Sequence, residues 1–549
     1  MTEPTEQVRQ EAVLAFLAKG RNGRPTRIDT HASIVFLEPD RVLKIKRAVR
    51  LPFLDYATLE KRKQACEQEL LVNKRLAPAI YRRVVPITRG ADGLAIGGSG
   101  DVVEWAVEMA RFDEGQTLDH VAARREITPE LGEALAEVML ASHAGALVCD
   151  ESAWPRSITG LIDRNTARFQ SVDLLARDDV ERLHAASHRQ LDKHFGLMQQ
   201  RAAAGFVRRC HGDAHLGNIV LIAGKPMLFD AIEFDPVIAT TDVLYDLAFP
   251  LMDLVHCGET VAANRLFNCY LQASWHQNAD ALQLLPLFMS IRAAIRAHVL
   301  FTRHEQSADT AVAAQARSYF ELAKRLIAPG RPTLLAIGGR SGTGKSVLAR
   351  TIAAMVSPSP GALVLRSDVI RKELFDIDPL TALPETGYAP EVTSRVYHVM
   401  NARAATALHQ GISVVLDAAF LDAAQRNALT EIASAADATF QGLFLDADLK
   451  VRLQRIGGRG RDASDADSEV ALMQDNYDIG ELDWPKLDAS GSPQETLARA
   501  QACLERDRIG LNRDRAADSR LSMIFSENRC SLFRIMLSRH SSHCWHEIG

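Results

Sequence analysis

Short apolar runs broken by turns fill the first part of the chain. Ser33–Leu37, Arg41–Ile45 and Val102–Met109 read as short apolar strands between turns. Helical spacing dominates later, at Glu60–Leu76, Pro129–His143, Val180–Ala203 and Leu282–Phe301. Strands first and helices afterwards predict an α+β domain. The last helical pattern fades near Leu326, and APGRP (Ala328–Pro332) punctuates the chain before a new strand. From Thr333 the rhythm becomes strand, helix, strand, helix: TLLAIGG, ALVLRS, ISVVLDA and TFQGLFLDA are aliphatic or β-branched runs separated by helical patterns. That order predicts an α/β domain with a parallel sheet.

These patterns divide the chain into residues 1–327, 331–505 and an irregular, Arg- and Ser-rich tail, 506–549. The linker between the two domains is only a few residues, so they are expected to touch. The tail carries His540, His543, Cys544 and His546, but no second ligand pair lies at finger spacing, and a poorly ordered terminus is the expectation.

Length and composition fit this division. A chain of 549 residues exceeds one ordinary core, and its 47% hydrophobic and 24% charged content is that of a globular protein. A net charge of −5 gives no basic excess for nucleic acid. The opening MTEPTEQVRQEAVLAFLAKG lacks the basic and apolar regions of a secretory signal, and the apolar stretches Val243–His256 and Ala281–Phe301 are interrupted by Asp or Arg. Eight scattered cysteines without CxxC spacing read as free thiols. A cytoplasmic protein with no membrane partner is expected.

Two stretches carry chemistry. In CHGDAHLGNIVL, His211-Gly212-Asp213 is followed five residues after the Asp by Asn218. Protein kinases place a catalytic Asp and a Mg²⁺-binding Asn at that distance. IVLIAGKPMLFD then reads as a hairpin turning at Ala223–Lys225 and delivering Asp230, a second carboxylate for metal. The pattern H-G-D-x-H-x-x-N plus a hairpin Asp resembles the aminoglycoside phosphotransferase and choline kinase branch of the kinase-like fold, over most of residues 28–300. His215 fits that branch too. The resemblance implies that Asp213 is the base, that Asn218 and Asp230 hold Mg²⁺, and that Lys44 in RVLKIKRAV binds phosphate with Glu69 as its partner. Lys46 and Glu67 are the alternatives. It places adenine against the backbone near Glu108–Ala110 and makes Asp246 structural. The stretch before Lys44, DTHASIVFLEPD, has no G-x-G-x-x-G. Glu233, Asp235 and Asp242 form a candidate acidic wall for a cationic acceptor, though backbone-fixing roles explain them equally well.

The second stretch is Gly339-Arg340-Ser341-Gly342-Thr343-Gly344-Lys345-Ser346, between an expected strand (Thr333–Ile337) and an expected helix (Val347–Met355). G-x-x-x-x-G-K-[ST] in that context is a P-loop: backbone N–H groups cradle the phosphates, Lys345 reaches the β/γ-phosphates and Ser346 ligates Mg²⁺. Asp368 at the end of the next strand is a candidate base, and Arg371 one turn on a candidate grip for the acceptor. Asp417 ends the third strand as the carboxylate behind the metal. Arg452, Arg455, Arg459 and Arg461, around a Gly-Gly break, suggest an arginine lid over ATP. Together these motifs resemble small P-loop kinases over residues 333–505, including gluconate-kinase-like proteins and 5′-hydroxyl polynucleotide kinase domains. Asp368 and Arg371 then map to their activating aspartate and acceptor-phosphate arginine. Ala419 stands where relatives often have Thr. As a whole the chain resembles a bacterial two-domain type, a phosphotransferase-like domain fused to an ATP-binding domain.

The expectation is a kinase using ATP and Mg²⁺, with catalytic Asp213, Asp368 and Lys345 and small hydroxylated acceptors at two sites. The rival reading makes the first domain a non-catalytic sensor that regulates the second. A 5′-hydroxyl nucleic-acid kinase or a plain ATPase in the second domain is the further alternative; few aromatics surround that site, which argues against nucleic acid.

Overall fold

A computed structural model describes residues 6–506, apart from 22, 31, 52, 53, 150–152, 329 and 459–461. The tail with its His and Cys residues, and the lid candidates Arg459 and Arg461, lie outside the described residues.

The first domain opens with a six-stranded antiparallel sheet. Its order is Thr26–Asp29, Ser33–Leu37, Arg41–Lys46, Asp101–Ala110, Tyr81–Gly90, Gly93–Ile96. Val35, Val42, Val107 and Met109 line one face, with Ile80, Tyr81, Val220 and Phe229 packed against them. Ile34, Phe36, Leu43, Ile45 and Ala106 line the other, against Val13 and Leu17 of the helix Glu6–Leu17. Period-two alternation thus buries both faces of the sheet. The helix Leu59–Leu76 lies against it, capped by Thr58, whose hydroxyl accepts from Lys61 N–H.

A helical half follows, built on Pro129–Ala144, Arg177–Ala203, Val243–His256, Thr260–Asn278, Leu285–Ser307 and Thr310–Ile327. The stretch Thr260–Ser307 is long and apolar enough to cross a membrane by length and composition. However, 78% of its most apolar window is buried, as in a core helix.

The second domain begins six residues after Ile327. Its five strands are all parallel, in the order Leu363–Arg366, Val414–Asp417, Thr333–Gly339, Thr439–Asp446, Lys486–Asp488. The strand feeding the P-loop is central and buried along its whole length. The domains touch, as the short linker predicts. Asn268 Oδ1 accepts from Val364 N–H at 2.7 Å, and Asn264 Nδ2 donates to Ala362 O at 3.0 Å. Gln283 N–H donates to the side chain of Gln410. One hydrophobic cluster runs through both domains.

Candidate active sites

In the first domain, strand alternation sends Lys44 and Lys46 to the same side, and both meet Glu69. Lys44 Nζ lies 2.8 Å from Glu69 Oε1 and Lys46 Nζ 2.6 Å from Oε2. Glu69 is fully buried on the inner face of its helix, while Glu67 is half-exposed and faces Lys63. Helix geometry thus separates these carboxylates, two residues and roughly 200° apart. The two lysines differ in their second partner. Lys44 reaches Asp230 Oδ1 at 2.8 Å, whereas Lys46 is tied to Glu233. Burial opposes charge on Lys44, but Asp230 and Glu69 more than reverse this, and its pKa rises well above that of a free lysine.

The Asp213 loop is held from beneath by Asp246, as expected of a structural residue. Asp246 accepts from Gly212 N–H at 2.9 Å and lies 3.2 Å from His143 Nε2. Burial would raise its pKa, but the His143 hydrogen bond and nearby charge pull it down to about 2. His211 Nε2–H donates to Phe229 O at 2.9 Å, joining the loop to the hairpin. Asn218 Nδ2 donates to Asp213 O at 2.9 Å and to Asp213 Oδ2 at 3.1 Å. Among the described residues its buried Oδ1 has no hydrogen-bond partner, so it is a spare oxygen suited to a metal. The hairpin turns at Ala223-Gly224, both with positive φ, and delivers Asp230, also at φ 59°. Asp213, Asn218, Asp230 and Lys44 therefore converge. Burial pushes the Asp213 carboxyl up to about 6, against the pull of Arg296 and Arg292.

Two expectations are refined here. The sheet occupies the backbone of Glu108–Ala110: Glu108 pairs with Leu43 and Arg83, and Ala110 N–H donates to Ile80 O. Of that stretch Met109 lines the cavity beside Lys44, together with Arg111 and Phe112 just beyond it and with Phe229 and Asp230 opposite. That cavity is only about 60 Å³. The acidic wall dissolves into fixed partners: Glu233 on Lys46, Asp235 capping Val237 N–H, and Asp242 on Arg201.

The second site is roomier, at about 620 Å³. The helix after the P-loop spans Lys345–Ala353, two residues earlier than expected, because Gly344 at φ 92° already turns the chain into it. Gly342 (φ 85°) packs so closely on Arg452 that a Cβ would lie 2.7 Å from its carbonyl oxygen. Lys345 Nζ donates to Arg340 O at 3.0 Å. Ser341 to Ser346, Asp368, Arg371, Asp417 and Arg455 all line this one cavity, with Ala419, Tyr388 and Tyr397. Gly339 and Arg340 lie just outside it. Gly339 N–H donates to Ala419 O, and Arg340 Nε donates to Gln474 O. Asp368 lies in the first turn of a helix, Ser367–Glu373, two residues beyond the strand end. Burial and the charge of Asp417 raise its pKa, and burial lowers that of Lys345. Arg371 Nη1 is held by Gly387 O at 2.8 Å and by Thr393 Oγ1.

Of the lid arginines, Arg452 is not one. It is fully buried, with Nε donating to Ser341 O at 3.0 Å, Nη2 to Ala471 O at 2.8 Å and Nη1 to Asp475. It braces the P-loop from behind. Arg455 reaches Gly491 O at 2.6 Å at the cavity edge. Sequence reading missed Arg366 and Asp462. Arg366 Nε lies 3.1 Å from Asp417 Oδ2, and its Nη2 donates to Ser346 Oγ at 3.1 Å and Asp462 Oδ1 at 2.7 Å. A cationic group thus already sits among the hydroxyl and carboxylate oxygens expected to hold Mg²⁺, and that donor set suits a hard cation.

Residues 31–276 match the model of the phosphotransferase enzyme family, and residues 334–478 match that of an AAA domain. The chain is similar to uncharacterised proteins of Mycobacterium tuberculosis and Mycobacterium bovis, 27% identical over 485 residues, which is 86% of this chain and 94% of theirs. Among solved structures it is similar to a choline/ethanolamine kinase family protein from Mesorhizobium loti (14% identity, 59% of this chain and 94% of that one, TM-score 0.36). It is also similar to a gluconokinase from Sinorhizobium meliloti (22%, 32% and 93%, TM-score 0.24). The two family matches, one to a phosphotransferase enzyme family and one to an AAA domain, support an ATP-dependent phosphotransferase.

Proposed function

We propose that the protein is a bifunctional kinase that moves the γ-phosphoryl group of ATP to a small hydroxylated acceptor in each domain. The observation that carries this for the P-loop site is the convergence of Asp368, Asp417, Lys345 and Arg371 on one cavity of about 620 Å³, and for the first domain it is the meeting of Asp213, Asn218, Asp230 and Lys44. Bound Mg²⁺, held by Ser346 and Asp417 here and by Asn218 and Asp230 in the first domain, would neutralise phosphate oxygens. The protein's own groups do the rest. The P-loop N–H groups and Lys345 fix the phosphates. Asp368, with its pKa raised by burial, takes the acceptor's hydroxyl proton, and Arg371, held by Gly387 and Thr393, orients the acceptor. In the first domain Asp213 takes that proton while Asn218 holds its carboxylate in place.

A second reading has specific support. The first cavity is small and Lys44 is paired directly with Asp230, which favours a sensor role for that domain. The first reading is tested with Asp368→Asn. It should keep ATP binding and lose roughly 10²–10⁴ of acceptor-dependent ADP formation at the P-loop site. A variant that turns over as fast as wild type would remove Asp368 as the base.

A further inference from the structure

Arg366 ends the edge strand of the parallel sheet, and its guanidinium is mostly buried between three oxygen ligands. It touches Ser346 and Asp417, the hydroxyl and carboxylate read as the metal's ligands, and Asp462 from the far side. The side chain has partners on each edge, so it is not simply passing through the site. Two positive charges cannot share those oxygens at close range without large repulsion.

The second observation is how little room for exchange the surroundings leave this guanidinium. A cavity of about 210 Å³ lies between this strand and the helix Thr260–Asn278 of the first domain, and Arg366 is part of its wall. Glu133 and Glu373 also line it, but they pair there with Arg265 and Arg403, and Arg350 stands in the same wall, so the cavity is itself cation-rich. The strand itself is also held. Asn264 and Asn268 of that helix grip its backbone at Ala362 and Val364.

We propose that Arg366 is a resident cation of the P-loop's metal seat. It neutralises Asp417 and Asp462 and donates to Ser346 Oγ in the metal-free protein, and it competes with Mg²⁺ for Ser346 and Asp417. Arg366 is thus a positioning residue that sets the metal requirement of the site. This rests on the reading of the P-loop as a Mg-ATP site.

The test is calorimetric titration of the full chain with ATP, in EDTA and across a Mg²⁺ series. Lys44→Ala in the background silences the first site. Lys345→Ala, added as a control, must abolish the remaining binding; if it does not, the P-loop reading itself fails. With that control satisfied, Arg366→Met should bind ATP about tenfold more weakly in EDTA. It should also reach its half-maximal Mg²⁺ effect at about tenfold lower Mg²⁺, the loss of one charge-assisted contact set. Arg366→Lys should keep metal-free binding within about threefold of wild type, and it carries the test if the Met variant folds poorly. Equal weakening with and without Mg²⁺, no change in either, or a Lys variant that behaves as Met would each overturn the proposal.

Discussion

Lys44 Nζ lies 2.8 Å from Asp230 Oδ1, so the residues read as phosphate ligand and metal ligand in the first domain neutralise each other directly. Nucleotide must part them, and the about 60 Å³ cavity beside them must widen. Lys44→Met leaves Glu69 with Lys46 alone and Asp230 without its lysine. It should abolish nucleotide binding at the first site and leave the P-loop site intact. Nucleotide titrations of Lys44→Met and Lys345→Ala in parallel check this. Two independent binding losses are expected, and one shared loss would contradict it.

Asp213 is held up to about 6 by burial, against Arg296 and Arg292. Its folded carboxyl keeps a proton more tightly than the unfolded chain does. Its contribution to stability is therefore present at about pH 4 and lost as the pH rises through about 6. Asp213→Asn removes that cost and should raise the first domain's melting temperature at pH 8, with the gain shrinking toward pH 4.5. As a base, Asp213 must be ionised, so turnover at this site should fall as the pH drops below about 6. Thermal unfolding and rate profiles across that range check both signs.

Arg452 braces the P-loop through Ser341 O and binds Ala471 O and Asp475 on the adjoining helix. Arg452→Met should leave those buried carbonyls unpaired and cost about 2–3 kcal/mol of stability in the second domain. A urea midpoint lowered in that domain alone, with weakened ATP binding, is the expected result. A lid arginine would instead lose rate with stability unchanged.

Much of both sites was legible because their chemistry is local in sequence. Asp213, Asn218 and Asp230 fall within eighteen residues, and the P-loop within eight. The strands Ser33–Leu37 and Arg41–Lys46 are short, largely apolar runs buried on both faces. What was not legible depends on distant packing. Lys44 and Lys46 share a face and a partner, so only the placement of Asp230 and Glu233 separates them. Arg452 reads as one of a basic group until the Gln474–Asp475 segment folds over it. Arg366 looks like a strand-end arginine until Ser346, Asp417 and Asp462, from three separate segments, meet around it.

The central claim, two phosphoryl-transfer sites in one chain, is tested most directly by product analysis. The protein is incubated with γ-labelled ATP, Mg²⁺ and a deproteinised bacterial metabolite extract, and wild type is compared with Asp213→Ala and Lys345→Ala. Two labelled products, each lost in one variant only, are the predicted result. A single product lost with Lys345→Ala and untouched by Asp213→Ala would contradict it and make the first domain a sensor.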